Sequence, residues 1–144
     1  MKEIKFRVLA NNKLLGYERL VNNQWEWNYI ELNPDKGERW CKGVFTDSVL
    51  AFLIKSYGTP LVRNQYTGLK DKKGKEIYEG DVIELFWLFT GMSYFTTVIW
   101  VCDLAKWAMA EKNGKGVYHY FGDQNTKLMD TEVIGNIYEN PEFL

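Results

Sequence analysis

The sequence holds one histidine, His119, and two cysteines, Cys41 and Cys102, in 144 residues. That scarcity removes the common routes to a metal centre. His119 has no Cys or His companion at ligand spacing. The cysteines lie far apart and form no Cys-x-x-Cys pair. They read as two reduced thiols serving as small buried hydrophobes, with a structural disulfide as the alternative. His119 also lacks a nucleophile to activate, since Ser48, Ser56 and Ser93 sit in unrelated contexts. No glycine-rich phosphate loop is present. Gly68, Gly74 and Gly80 are evenly spaced, but lysine-rich turn residues separate them and no helix follows. They read as turn glycines. No metal and no cofactor is expected.

Net charge is also missing. Eighteen Lys and Arg stand against 19 Asp and Glu, leaving −1 at pH 7. No global field draws such a chain to nucleic acid or anionic lipid. Met1-Lys2-Glu3-Ile4-Lys5-Phe6-Arg7 precedes no long apolar run, so no signal peptide is expected. Leu85 to Cys102 is an uncharged run of 18 residues, the length of a membrane helix. However, Thr90, Gly91, Ser93, Thr96 and Thr97 cluster in its middle, where a membrane helix is most apolar. Its flanks are aromatic and β-branched. Two strands joined at Thr90-Gly91-Met92-Ser93 are expected there, and no membrane partner.

The chain is rich in aromatic residues: six Trp, nine Tyr and eight Phe make up 16% of it. Such side chains suit pleated, half-buried surfaces. A chain of this length buries roughly 68–70% of its extended surface. It fits one domain, or two small lobes sharing a core. Ile4, Phe6 and Val8 alternate with Lys5 and Arg7, the pattern of a half-buried strand. Asn11-Asn12 marks a turn, Leu14 to Val21 a returning strand, and Asn22-Asn23 a second turn. Trp25, Trp27 and Tyr29 alternate with polar residues along a third strand. Val49, Leu50, Leu53, Ile54 and Tyr57 recur at helical spacing, which predicts a helix over Asp47 to Tyr57, stopped by Gly58 and Pro60. Its apolar stripe needs a sheet to cover it.

Later strands are expected at Leu61 to Tyr66, Val82 to Phe89, Tyr94 to Leu104, Trp107 to Glu111, Val117 to Phe121 and Glu132 to Tyr138. Asn113-Gly114-Lys115-Gly116 has the composition of a hairpin turn. The fold class is therefore mainly β with one short helix. Its C-terminal part reads as a bent sheet or a small SH3-like barrel. A boundary near Gly58-Thr59-Pro60 would divide lobes over residues 1–60 and 61–144. The Val82–Phe89 and Tyr94–Leu104 hairpin is apolar on both faces, so cover is expected on each.

The most distinctive segment runs from Gln65 to Ile83. It holds the block Tyr66-Thr67-Gly68-Leu69-Lys70-Asp71, a charged turn around Lys72-Lys73-Gly74, and a second turn at Glu79-Gly80-Asp81. Its four lysines are matched by four acids, so it is not a phosphate-binding strip. Gly80 permits the turn, and Asp81 can accept from turn N–H groups. Together with the opening Ile4-Lys5-Phe6-Arg7 and the ending Val133-Ile134-Gly135-Asn136-Ile137-Tyr138-Glu139-Asn140-Pro141-Glu142, this segment resembles the YopX family of phage and prophage proteins. The three blocks occur in family order. One departure is Leu9-Ala10, where family members often carry Trp-Asp. The resemblance implies a single mainly β domain over residues 1–144 and a phage or prophage setting in bacterial cytoplasm. It brings no catalytic residue with it.

The expected function is a non-enzymatic accessory role: binding another protein, or assembling with copies of itself into a homo-oligomer. The alternative is a nucleic-acid-binding small barrel. There the Lys70–Lys75 turn would touch phosphates, and Trp25 or Trp27 would stack on bases. The candidate interaction surface is accordingly Trp25, Trp27, Tyr66, Lys70, Lys72 and Lys73. Gly68, Gly74, Gly80 and Asp81 are candidate structural turn residues.

Overall fold

The protein is described from a computed structural model covering residues 3–29, 40–42, 51, 54–111, 116–121 and 129–143. The chain forms two compact units, Met1–Tyr66 and Thr67–Leu144.

In the first unit, the alternating opening residues form β1 (Ile4–Ala10). It pairs antiparallel with β2 (Lys13–Val21), which pairs in turn with β3 (Gln24–Tyr29). Both joints are two-residue asparagine turns. Asn11 and Asn12 have φ of 49° and 61°, and Asn22 and Asn23 have 50° and 61°. Two successive left-handed residues give the twist that two-residue hairpins require, and asparagine tolerates that region. The short β4 (Cys41–Lys42) lies beside β3, and β5 (Leu61–Lys70) lies on the far side of β1.

One face of this sheet buries Val8, Ala10 and Leu15, with Trp27, Tyr57 and Leu61 packed around them. Residues 51 and 54–57 are helical, the C-terminal part of the predicted Asp47–Tyr57 helix; the rest lies outside the described residues. Gly58, at φ +88°, donates its N–H to the Ile54 carbonyl at 2.7 Å. That is a left-handed helix stop, as the glycine suggested. Tyr57 therefore meets the sheet through the stripe that needed cover.

The expected boundary at Gly58-Thr59-Pro60 is displaced. β5 is one continuous strand that pairs with β1 from Leu61 to Gln65, so the division falls inside it, between Tyr66 and Thr67. Its last residues belong to the second unit. There Thr67 Oγ1 donates to the Ile77 carbonyl at 2.8 Å, beside β6 (Glu76–Tyr78).

The second unit continues through β7 (Asp81–Trp87), β8 (Ser93–Val101), β9 (Lys106–Ala110), β10 (Val117–Tyr120) and β11 (Met129–Asn136). These five form an antiparallel sheet in the order β10-β9-β8-β7-β11. Ile77, Ile83, Leu85, Val98, Trp107, Met109 and Val133 make its core. The sheet is open: among the described residues β10 and β11 are its two edges. The bent-sheet reading therefore stands and the SH3-like barrel does not close. The Asn113-Gly114-Lys115-Gly116 turn lies mostly outside the described residues. Glu111 donates its N–H to the Gly116 carbonyl at 2.8 Å across the β9–β10 joint.

Leu85 to Cys102 is not a helix. It comprises the end of β7, Leu85 to Trp87, then a turn, β8 and the first residue of a 3-10 turn, Cys102–Leu104. No described helix is long and apolar enough to cross a membrane. Cys102 is exposed and unpaired, contrary to the expectation of burial. β8 ends at Val101, and the 3-10 turn carries the thiol off the sheet. The side chain of Cys41 lies outside the described residues.

Candidate interaction surface

Much of the distinctive segment is occupied in holding the second unit together. Asp71 is buried in the turn after β5. Its Oδ1 accepts N–H groups from Lys73 at 2.9 Å and Lys75 at 2.8 Å, and its Oδ2 accepts the N–H of Val133 at 2.9 Å. The Lys72 N–H donates to the Thr131 carbonyl at 3.0 Å. β11 is an edge strand, and the outward groups of an edge are open to pairing with other chains. The 71–75 turn covers that edge. Burial pushes the Asp71 carboxyl up, but the three backbone donors outweigh it and hold the group below its ordinary range.

The lysines of the turn are engaged as well. Lys73 Nζ lies 2.6 Å and Lys72 Nζ 3.5 Å from the Glu132 carboxylate. The hydrogen bond from Lys73 and its charge hold Glu132 below the ordinary carboxylate range. Gly68, Gly74 and Gly80 have φ of 85°, 82° and 81°. Asp81 is buried and accepts the Tyr78 N–H at 2.8 Å. Gly80 binds the ending of the chain to the sheet. Its N–H donates to the Val98 carbonyl at 2.9 Å, and its carbonyl accepts the Ile137 N–H at 3.0 Å. The Asn136 side chain accepts N–H groups from Tyr138 at 3.0 Å and Glu139 at 2.8 Å.

The predicted interaction residues are divided between the two units and differ in exposure. Trp25 is half-buried, its ring 6.1 Å from that of Phe6. Trp27 packs on the Val8, Ala10 and Leu15 cluster. Both belong to the first unit. Tyr66 is buried, Lys70 is exposed, and Lys72 and Lys73 are ion-paired. Among the described residues, no group of three or more His, Cys, Asp or Glu gathers as a metal site. The expected result is no stoichiometric transition metal and the same melting temperature with and without reductant. Elemental analysis and paired melts check this; about one zinc per chain, or a reductant-dependent melt, would overturn it.

A different surface stands open. β7 and β8 form a hairpin whose turn is closed by Gly91 N–H to the Trp87 carbonyl and Trp87 N–H to the Met92 carbonyl, each at 2.9 Å. At its base both faces are covered: Val82, Ile83, Leu85, Thr96, Thr97 and Val98 are buried. Toward the turn Trp87 and Tyr94 still pack on the core, while the opposite face, which carries Phe86 and Phe95, opens. Phe86 is 39% exposed, Leu88 54%, Phe89 79%, Met92 55% and Phe95 51%. One face is thus buried by the core, as expected, and the partial cover expected on the other reaches Val82 and Thr97 but not Phe86 and Phe95. β9 pairs with β8 only from Thr97 to Val101, so Ser93 to Phe95 have no described strand beyond them. The uncharged run was the sequence signal for this surface, read there as buried.

These features define the class: an antiparallel β protein in two units, displaying an apolar hairpin. The chain belongs to the YopX family, whose description "YopX protein" matches residues 6–144. It is similar to the crystal structure of protein EF1440 from Enterococcus faecalis, at 18% identity and a TM-score of 0.42, over 98% of this chain and 97% of that one. No curated protein matches it.

Proposed function

We propose that this YopX-family chain is a non-enzymatic binding module of a phage or prophage, acting in the bacterial cytoplasm by docking another protein on its β7–β8 hairpin. The supporting observation is the cluster of Phe86, Leu88, Phe89, Met92 and Phe95 at and beside one turn. Isolated apolar residues are common on surfaces, but contiguous apolar patches mark interaction sites. Aromatic residues and methionine are enriched at such interfaces. Nucleic-acid binding has weaker support, because four acids match the four lysines of the Gln65–Ile83 segment, and Lys72 and Lys73 are drawn onto Glu132.

A photocrosslinking phenylalanine analogue at position 89 tests the reading in host cells. The expected result is a discrete protein adduct from position 89 and none from position 13, on the first unit. Crosslinking to nucleic acid alone, or no adduct, would reject the hairpin as a protein-docking surface.

A further inference from the structure

The strand register around the hairpin gives the chemical character of the partner. Directly paired residues of antiparallel strands share a face, with Cβ atoms roughly 4.5–5.5 Å apart. On one face of β11, β7 and β8, Asp130, Phe86 and Ser93 form one row. Glu132, Glu84 and Phe95 form the next. Phe86 and Phe95 thus lie diagonally adjacent, each directly opposite a carboxylate. Glu132 has Lys72 and Lys73 as partners. Glu84 and Asp130 make no ion pair among the described residues. The apolar patch is therefore flanked by two carboxylates that form no ion pair among the described residues, Asp130 being the one farther from Lys72 and Lys73 in the register.

We infer that the hairpin takes a cationic amphipathic segment of another protein, whose apolar face covers Phe86, Phe89 and Phe95 while its Lys or Arg side chains reach Glu84 and Asp130. This rests on the reading that the hairpin docks a protein, and adds the partner's chemistry. Charge selects among the occupants. Nucleic acid and anionic bilayers are repelled by the two carboxylates. A second copy docked face to face would bring the same two carboxylates toward themselves. Area points the same way. With aromatics offering roughly 150–250 Å² each, the five partly exposed side chains present on the order of 500 Å². A stable dimer buries about 800 Å² on each side, whereas a single segment needs less.

The test uses the full chain and a labelled 14-residue Leu/Lys amphipathic helix. A Leu/Glu helix of the same pattern and phosphatidylglycerol vesicles run in parallel, with light scattering of the chain alone. The Leu/Lys helix should bind saturably and more weakly as salt rises. Glu84→Gln with Asp130→Asn should weaken it about 5-fold, as expected for two exposed ion pairs. Phe89→Ser with Phe95→Ser should abolish binding while leaving the melting temperature near the parent's, since both side chains are exposed. Equal binding of the Leu/Glu helix, binding to vesicles alone, dimerisation through the hairpin, or undiminished binding by the Glu84→Gln, Asp130→Asn variant would overturn the inference. A protein adduct at position 89 combined with any of these results removes the cationic partner and keeps protein docking. Absence of both the adduct and peptide binding removes both.

Discussion

Gly80→Val is expected to lower stability by roughly 3–5 kcal/mol, the sum of backbone strain and steric overlap. Gly80 sits at φ +81°, a region closed to β-branched residues. A Cβ there would lie 2.8 Å from Tyr138 Cε2. The ring has limited room to withdraw, because its backbone is fixed by the Asn136 side chain and the neighbouring Ile137 is bonded to Gly80 itself. Gly74 is the control. It has nearly the same φ, +82°, but nothing within 4 Å of an added Cβ. Gly74→Ala should therefore cost only the strain, about 1–2 kcal/mol. Chemical denaturation separates the two. Equal costs at both sites would mean that the Tyr138 contact contributes nothing.

Asp71→Ala is expected to cost roughly 3–4 kcal/mol, since hydrogen bonds to a charged acceptor are each worth about 1.5–3 kcal/mol and part of the loss is recovered from water. The Lys73 and Lys75 N–H groups lie in an exposed turn and rehydrate. The Val133 N–H is buried and does not. The carboxyl also carries a pH signature. Its pKa is depressed in the folded chain, so the unfolded chain binds the proton more readily. The stabilisation is fully present above the unfolded value, roughly pH 4. It is lost as pH falls through the lower, folded value. Denaturation midpoints of the parent should fall in that acid range, and those of Asp71→Asn should fall less. Parallel curves for the two proteins would show that another group carries the acid sensitivity.

These two residues show what was legible in the sequence. Alternation at Ile4 to Val8, the Asn11-Asn12 and Asn22-Asn23 turns, and the Gly58 stop are local signals, and each produced its element. The uncharged run from Leu85 was read correctly as a hairpin, because threonine and glycine in its middle fit a turn and not a bilayer. The role of Lys72 and Lys73 was not legible. Their partner Glu132 is about sixty positions away, and no local pattern announces that pairing. The same holds for Asp71 and Val133, and for Gly80 and Tyr138. The blocks that carry the family resemblance thus have mainly structural duties in this chain. The open hairpin was missed for a related reason. Periodicity shows that both faces are apolar, but which of them packs on the core is a property of the fold.

The segment from Gln65 to Ile83 and the ending after Val133 support the fold, and the hairpin tip is the surface proposed to meet the partner. Amide chemical shifts of the isotope-labelled full chain, titrated with the Leu/Lys helix, test that division most directly. The largest shifts are predicted at residues 84–95 and at Asp130, with Gln24 to Trp27 unmoved. Shifts centred on the lysine turn or on the Trp25–Trp27 strand, with Phe86 to Phe95 unmoved, would contradict it.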